Sequence, residues 1–107
     1  HSDDLASAVN FILENNFIFD DLVNKFDFPI LNVGSGIDYS IKELAQIISK
    51  VVGYDVTFEF NTNMPDGTMK KLLSSDRINS YGWKHNTDLE DGISQVYEEF
   101  LNKSQCK

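Results

Sequence analysis

Residues 40–53 carry a complete set of signals for one amphipathic helix. The hydroxyl of Ser40 and the carboxylate of Glu43 are spaced so that each can cap the first turn. Gly53 can adopt the left-handed conformation that commonly ends a helix. The apolar stripe between these signals consists of Ile41, Leu44, Ala45, Ile48, Val51 and Val52. Because a stripe of this width is stable only when another element covers it, the chain is predicted to form a packed globular unit.

Further helices and two strands are predicted around this helix. Apolar residues at helical spacing indicate helices over residues 3–15 and 88–102, with a short helix between residues 75 and 82. Residues 29–33 form a short apolar run and residues 55–60 alternate apolar with polar side chains, both of which are typical of strands. This order predicts an α/β fold, a small helix-rich lobe with about two parallel strands. Since two strands are too few to be stable alone, the whole chain, 1–107, is expected to be one lobe of a larger protein.

Residues 17–28 mix phenylalanine with aspartate and show no regular period. They are predicted to form a surface loop with at most one helical turn at residues 20–25. Leu72 and Leu73, in contrast, are predicted to lie in the core. The apolar residues that this interpretation leaves without a regular face for burial are Phe17, Ile18, Phe26 and Phe28.

The composition excludes several classes of protein. A formal net charge of −8 argues against a binder of duplex nucleic acid, which usually presents a basic face. No apolar run approaches the length of a membrane span, so no membrane partner is expected. The single cysteine, Cys106, cannot form an internal disulfide, and such low cysteine usage fits a reducing compartment such as the cytoplasm.

Positive charge is concentrated in residues 70–84. This stretch contains four cationic side chains and one acidic side chain, Asp76, which gives it a net charge of +3. The cations are Lys70, Lys71, Arg77 and Lys84. An island of this size could neutralise a diphosphate, although not a long polyanion. The alternative is a solvated loop in which basic residues cluster by chance.

No catalytic or metal-binding constellation is identified in the chain. Gly34-Ser35-Gly36 follows a predicted strand, but Tyr39 stands where the dinucleotide-binding fingerprint needs its third glycine, so a tight turn is the better interpretation. His1 and His85 have no cysteine or carboxylate at the spacing of metal ligands. The sequence therefore predicts no cofactor-binding residues within this chain.

The loop at residues 63–71 places a carboxylate and two ammonium groups close together behind the turn signal Pro65-Asp66-Gly67. Asp66 could accept hydrogen bonds from a sugar or a base, and Lys70 or Lys71 could contact phosphate oxygens. An exposed turn without a ligand is the alternative.

This loop is also the most specific point of resemblance to a known family. Pro65-Asp66-Gly67-Thr68, followed by a basic pair and Leu72-Leu73, resembles a motif that is typical of GDP-L-fucose synthases in the extended short-chain dehydrogenase/reductase family. The resemblance covers nearly the whole chain and is closest to the C-terminal, substrate-binding part of these enzymes. The other matching blocks are His1-Ser2-Asp3-Asp4-Leu5-Ala6, Leu31-Asn32-Val33-Gly34-Ser35-Gly36, Tyr39-Ser40-Ile41-Lys42-Glu43-Leu44-Ala45, Val51-Val52-Gly53-Tyr54, Arg77-Ile78-Asn79-Ser80-Tyr81-Gly82-Trp83 and Leu89-Glu90-Asp91-Gly92-Ile93.

The resemblance implies a two-part enzyme that forms a homodimer. Its N-terminal Rossmann half binds NADPH and supplies the catalytic Ser, Tyr and Lys, which lie outside this chain. That enzyme epimerises GDP-4-keto-6-deoxy-D-mannose and then reduces the 4-keto group, while the C-terminal part closes over the GDP-sugar. By the same resemblance, Asp66 contacts the substrate and the pair Lys70-Lys71 lies near the diphosphate. The chain alone is therefore expected to be inactive.

Departures from the family pattern keep two alternatives open. The family usually has Lys before Pro-Asp-Gly and Pro-Arg-Lys after the Thr, whereas this chain has Met64 and Met69-Lys70-Lys71. The first alternative is a fragment of another nucleotide-sugar epimerase or dehydratase. The second is an acidic interaction module without catalysis.

Overall fold

A computed structural model describes residues 1–61, 63–65, 67 and 72–105, with backbone only for 104 and 105. Five helices account for the regular structure of these residues. Three of them match the long helices predicted from the sequence to within a few residues at each end. The helices are α1 (Ser2–Glu14), α2 (Phe17–Lys25), α3 (Ile41–Val52), α4 (Asp76–Ser80) and α5 (Leu89–Gln105).

The chain divides into two compact units, each built from two separate stretches of sequence. The first unit contains His1–Ile37 and Leu72–Thr87, and the second contains Asp38–Lys71 and Asp88–Lys107. The first unit therefore holds α1, α2 and α4, and the second holds α3 and α5. That the whole chain serves as one substrate-binding lobe stays a prediction.

The core of the first unit forms around α1 and α4. Ala8 and Ile78 have no exposed surface, and Trp83, just beyond the end of α4, is 5% exposed. The Nε1 of Trp83 donates a hydrogen bond to the Oγ of Ser7 at 3.2 Å, so the indole nitrogen has a partner although the ring is buried. The partly buried residues that pack against this cluster are Phe11, Ile12, Leu31 and Val33.

Helix α2 corrects the prediction that residues 17–28 form a loop. Ile18 and Leu22 lie one turn apart and are buried, which gives α2 a narrow core face. The ring of Phe17 meets the ring of Tyr81 edge to face, with 6.3 Å between centroids. Only two α2 residues define the buried face, whereas Phe19 and Val23 on the other side of the helix are exposed. Because apolar residues lie on both sides, the sequence shows no helical spacing of apolar residues.

The two predicted strands do not form in the part of the chain that the structure describes. Residues 29–33 and 55–60 have no regular secondary structure. A strand needs a neighbouring backbone to complete its hydrogen bonds, and the local pattern of side chains cannot supply that partner. Leu31 and Val33 still pack against the first core, so the apolar character of the first segment was interpreted correctly. The helix-rich part of the fold prediction is confirmed, and the pair of parallel strands is wrong for these residues.

In the second unit, α3 packs against α5. The predicted capping box is present, because Ser40 Oγ accepts from the Glu43 N–H at 3.2 Å and Glu43 Oε2 accepts from the Ser40 N–H at 2.8 Å. Gly53 ends the helix with a φ of 73°, which a residue with a Cβ rarely adopts. An ion pair between Lys50 and Glu90 links the two helices.

Leu72 and Leu73 are 40% and 57% exposed, so the prediction that they lie in the core is wrong. Both precede α4 in a segment without helical structure, where no repeating face directs them inward.

Among the described helices, none is both long and apolar enough to cross a membrane.

Candidate functional site

The three residues predicted to bind substrate, Asp66, Lys70 and Lys71, lie outside the described residues, so their placement stays a prediction. The stretch that leads toward them is described. The side chain of Asn61 accepts from the Asn63 N–H at 3.1 Å, which is the geometry of an Asx turn. Met64, which stands where the resembled family has Lys, is 66% exposed.

In the first unit, side-chain hydrogen bonds join residues 28–34 to residues 74–77, and we call these contacts the seam. The Nδ2 of Asn32 donates to the carbonyl of Ser74 at 3.2 Å. The Oγ of Ser75, a residue that is 2% exposed, donates to the carbonyl of Gly34 at 2.9 Å. Side chains thus satisfy backbone carbonyls that a strand partner would otherwise satisfy.

Arg77 completes the seam through one of its terminal nitrogens. Its Nη1 donates to the carbonyls of Phe28 at 2.9 Å and Ile30 at 3.1 Å. The guanidinium carbon lies 4.0 Å from the centroid of the Phe26 ring, which is a cation–π contact. Three contacts therefore orient the guanidinium group, although Arg77 as a residue is exposed.

A surface depression of about 410 Å³ lies beside the seam and is lined by Ile30, Asn32, Ser74 and Arg77. All four residues belong to the first unit. The depression combines a cation, an amide and an apolar side chain, a mixture that suits a small polar ligand. In the sequence, Arg77 belongs to the basic island and to one family block, and Asn32 belongs to a predicted strand and to another family block. The sequence holds no local signal that brings these two residues together.

Asp4 is a buried carboxylate on α1. Its two oxygens accept from the backbone N–H groups of Asn86 at 2.9 Å and Thr87 at 3.2 Å. The Asn86 hydrogen bond contributes most to a lowered pKa of Asp4, against the opposing effect of desolvation. With both oxygens engaged in this way, Asp4 has a structural role and is not available as a catalytic acid.

The turn at residues 34–36 has the geometry of a tight turn. The Oγ of Ser35 accepts from the Ile37 N–H at 3.2 Å, so the turn is closed on itself. Gly36 has a φ of 74°, a left-handed conformation that favours glycine. The interpretation of this segment as a tight turn is therefore supported by its geometry.

No group of three or more potential metal ligands lies together among the described residues. His1 instead accepts a hydrogen bond at Nδ1 from the Asp3 N–H at 3.4 Å and so caps α1. His1 therefore has a structural role at the start of this helix.

Comparison with known proteins finds relatives along almost the whole chain. The GDP-L-fucose synthase of Escherichia coli K12 is 40% identical over 94% of this chain. A solved GDP-6-OMe-4-keto-L-xylo-heptose reductase from C. jejuni is 42% identical over 96% of the chain, with a TM-score of 0.86. A GDP-mannoheptose C4 reductase from Campylobacter jejuni, solved with NADP bound, is 40% identical over 94% of the chain, with a TM-score of 0.81. No protein-family model matches the chain.

These matches show that the chain is similar to one part of GDP-L-fucose synthases and of GDP-sugar reductases. The resemblance to the GDP-L-fucose synthase family is confirmed. The chain spans 32% of the length of the Escherichia coli enzyme and 30% of each of the two solved reductases.

Proposed function

We propose that this chain is the GDP-sugar-binding portion of an NADPH-dependent GDP-L-fucose synthase. The observation that carries the proposal is the 40% identity to the Escherichia coli GDP-L-fucose synthase over 94% of the chain. The proposed reaction is epimerisation of GDP-4-keto-6-deoxy-D-mannose, followed by reduction of its 4-keto group. We place the protein in the cytoplasm, in keeping with its single cysteine.

In this proposal, NADPH supplies the hydride and is held by a Rossmann half outside residues 1–107. The sequence of the turn at residues 34–36 supports this division, because Tyr39 stands where the dinucleotide-binding fingerprint needs its third glycine. The catalytic Ser, Tyr and Lys belong to the same outside part. The contribution of this chain is to bind and orient the GDP-sugar.

The proposed substrate contacts are Asp66, Lys70 and Lys71. A carboxylate accepts hydrogen bonds from sugar hydroxyls or a guanine edge, and ammonium groups meet diphosphate oxygens as point charges. The net charge of +3 over residues 70–84, in a chain with a net charge of −8, favours an anionic group at this position.

The proposed partner of the chain is its own Rossmann half, in a protein that dimerises. An apolar face on α1 supports a partner of this kind, since Leu5, Val9 and Leu13 follow one another at helical spacing and are 56%, 50% and 60% exposed. Apolar surface of this extent is usually covered in the complete protein.

A second candidate function is the reduction of a GDP-heptose, which, like the first candidate, is a reaction of a GDP-sugar. The match at 42% identity with a TM-score of 0.86 to the C. jejuni heptose reductase favours it. The named relatives are synthases and reductases, so they do not favour the non-catalytic interaction module.

Binding of GDP to the chain tests the substrate-site proposal directly. Replacing Lys71 with Ala should weaken GDP binding about tenfold to a hundredfold, because one charge-assisted contact to phosphate is lost. Lys84→Gln removes the same charge from the same basic island and serves as the matched control. Equal GDP affinity for Lys71→Ala and the unchanged chain would refute the assigned role of Lys71.

A chimera tests the proposed reaction. Residues 1–107 would replace the matched segment of the Escherichia coli GDP-L-fucose synthase, and NADPH oxidation would be followed with two substrates. Turnover of GDP-4-keto-6-deoxy-D-mannose supports the first candidate, and turnover of a GDP-4-keto-heptose alone supports the second. A folded chimera that binds NADPH and turns over neither substrate contradicts both candidates.

A further inference from the structure

We propose that the depression lined by Ile30, Asn32, Ser74 and Arg77 is a binding site for a small oxyanion, the phosphate group of an ester or a carboxylate. The described lining residues all belong to the first unit, and Asp66, Lys70 and Lys71 have no part in the proposal. It therefore stands or falls independently of the proposed GDP-sugar contacts.

The guanidinium of Arg77 is the feature that points to an oxyanion. Its Nη1 is used by the carbonyls of Phe28 and Ile30. Among the described residues, no acceptor takes a hydrogen bond from its Nε or Nη2. A guanidinium group presents its donors in a flat fork that matches two oxygens of a phosphate or carboxylate, so the unused nitrogens are suited to that chemistry.

The orientation of Arg77 is established before any ligand arrives. The two carbonyls hold one edge of the guanidinium, and the Phe26 ring, 4.0 Å from its central carbon, supports one face. A flexible arginine loses rotamer freedom when it binds a ligand, and this loss lowers affinity. Because Arg77 is already ordered by the fold, that cost is reduced, which distinguishes it from an ordinary surface arginine.

Asn32 and Ser74 also line the depression. They are joined by the hydrogen bond from Asn32 Nδ2 to the Ser74 carbonyl at 3.2 Å, which leaves the second amide hydrogen of Asn32 for a ligand. One acid opposes binding, because Asp76 Oδ2 accepts from Ser74 Oγ at 2.7 Å and so lies beside the depression. The exposed side chain of Ile30 supplies an apolar border for the carbon skeleton of the ligand.

Nuclear magnetic resonance of the chain, titrated with inorganic phosphate at constant ionic strength, tests the site. The Arg77 Nε–Hε and Asn32 side-chain amide resonances should shift saturably. Arg77→Gln should weaken phosphate binding, followed through Asn32, about tenfold. Asp76→Asn should tighten binding by about twofold to fivefold, since it removes the nearby negative charge. A parallel titration with acetate distinguishes the two sources, because the tighter ligand identifies a phosphate ester or a carboxylate.

Two controls keep the result interpretable. Lys42→Gln removes one positive charge outside the depression and outside the basic island, and it should leave the phosphate affinity unchanged. Arg77→Lys keeps the charge but loses the fork, so it should bind more weakly than the unchanged chain even if Arg77→Gln does not fold. Shifts that do not saturate with either anion, or equal phosphate affinity in the unchanged chain and Arg77→Lys, would overturn the proposal.

Discussion

The Oδ1 of Asp4 accepts a hydrogen bond from the backbone N–H of Asn86 at 2.9 Å, across 82 positions of sequence. The other oxygen accepts from the Thr87 N–H at 3.2 Å. Asp4 thereby fastens the start of α1 to the segment that precedes α5. A buried carboxylate is tolerated here because two backbone N–H donors replace the hydrogen bonds that water would otherwise make to it.

Asp4→Asn should lower the free energy of unfolding by about 1–3 kcal/mol at neutral pH, because an amide nitrogen would face one backbone N–H without accepting from it. The folded pKa of Asp4 lies below its ordinary value of 3.8. Its contribution to stability is therefore complete above that value and is lost as the pH falls through the folded pKa. The difference between the two chains in urea unfolding should shrink as the solution is made more acidic.

Asp3→Asn is the matched control for this experiment, since the neighbouring carboxylate has a side chain that is 83% exposed. It should change stability little at any pH. A stability difference for Asp4→Asn that does not vary between neutral and strongly acidic pH would contradict the linkage.

Asp21→Asn should lower the pKa of Tyr81 toward its ordinary value of 10.0. The Tyr81 hydroxyl donates to Asp21 Oδ2 at 2.6 Å, and this hydrogen bond is the main reason that the pKa of Tyr81 is raised. Titration of phenol absorbance checks the shift, with Tyr81→Phe identifying which of the four tyrosines is responsible. Asp20→Asn is the control, and an equal effect of the two variants would show that charge alone controls the titration.

The isolated chain should self-associate through α1 as its concentration rises. Leu5, Val9 and Leu13 leave an apolar face in water, and association removes that face from solvent at about 25 cal/mol per Å² before entropy is subtracted. Replacing Leu5 and Leu13 with Gln should shift sedimentation toward the monomer. Glu14→Gln changes an exposed residue of the same helix without removing apolar surface. A chain that remains monomeric across the concentration series would show that this face needs no partner.

The pure chain should not oxidise NADPH in the presence of GDP-4-keto-6-deoxy-D-mannose. The turn at residues 34–36 lacks the third glycine of the dinucleotide-binding fingerprint, and the proposed catalytic residues lie elsewhere in the protein. The Escherichia coli GDP-L-fucose synthase provides the positive control for the assay. Measurable turnover by these 107 residues would show that the chemistry had been assigned to the wrong part of the enzyme.

How far the sequence predicted the structure depends on the range of each interaction. The ends of α3 were predicted because Ser40, Glu43 and Gly53 act within a few residues of one another. Helix α2 was missed because its buried face has only two members, Ile18 and Leu22. The sequence pattern predicted no packing partner for the Phe26 ring, yet this ring contacts the guanidinium group of Arg77 on α4.

The candidate site also contains residues that the sequence predicted and residues that only the structure brought together. The basic island and the family motifs were visible in the sequence, and they led to Asp66, Lys70 and Lys71 as substrate contacts, which stay a proposal. The depression at Arg77 was not visible, because its donors and acceptors come from two segments more than 40 residues apart, as the bond from Asn32 to Ser74 shows.

By itself, the sequence determined four of the five helices, both ends of α3 and the family resemblance, because these depend on the order and spacing of neighbouring residues. Tertiary structure decided which distant groups satisfy one another. It paired Asp4 with Asn86 and the Arg77 guanidinium with the carbonyl of Phe28, and residues 29–33 have no strand partner among the described residues. The physical reason is that a buried donor or acceptor must find a partner wherever the folded chain provides one, and no local pattern records where that is.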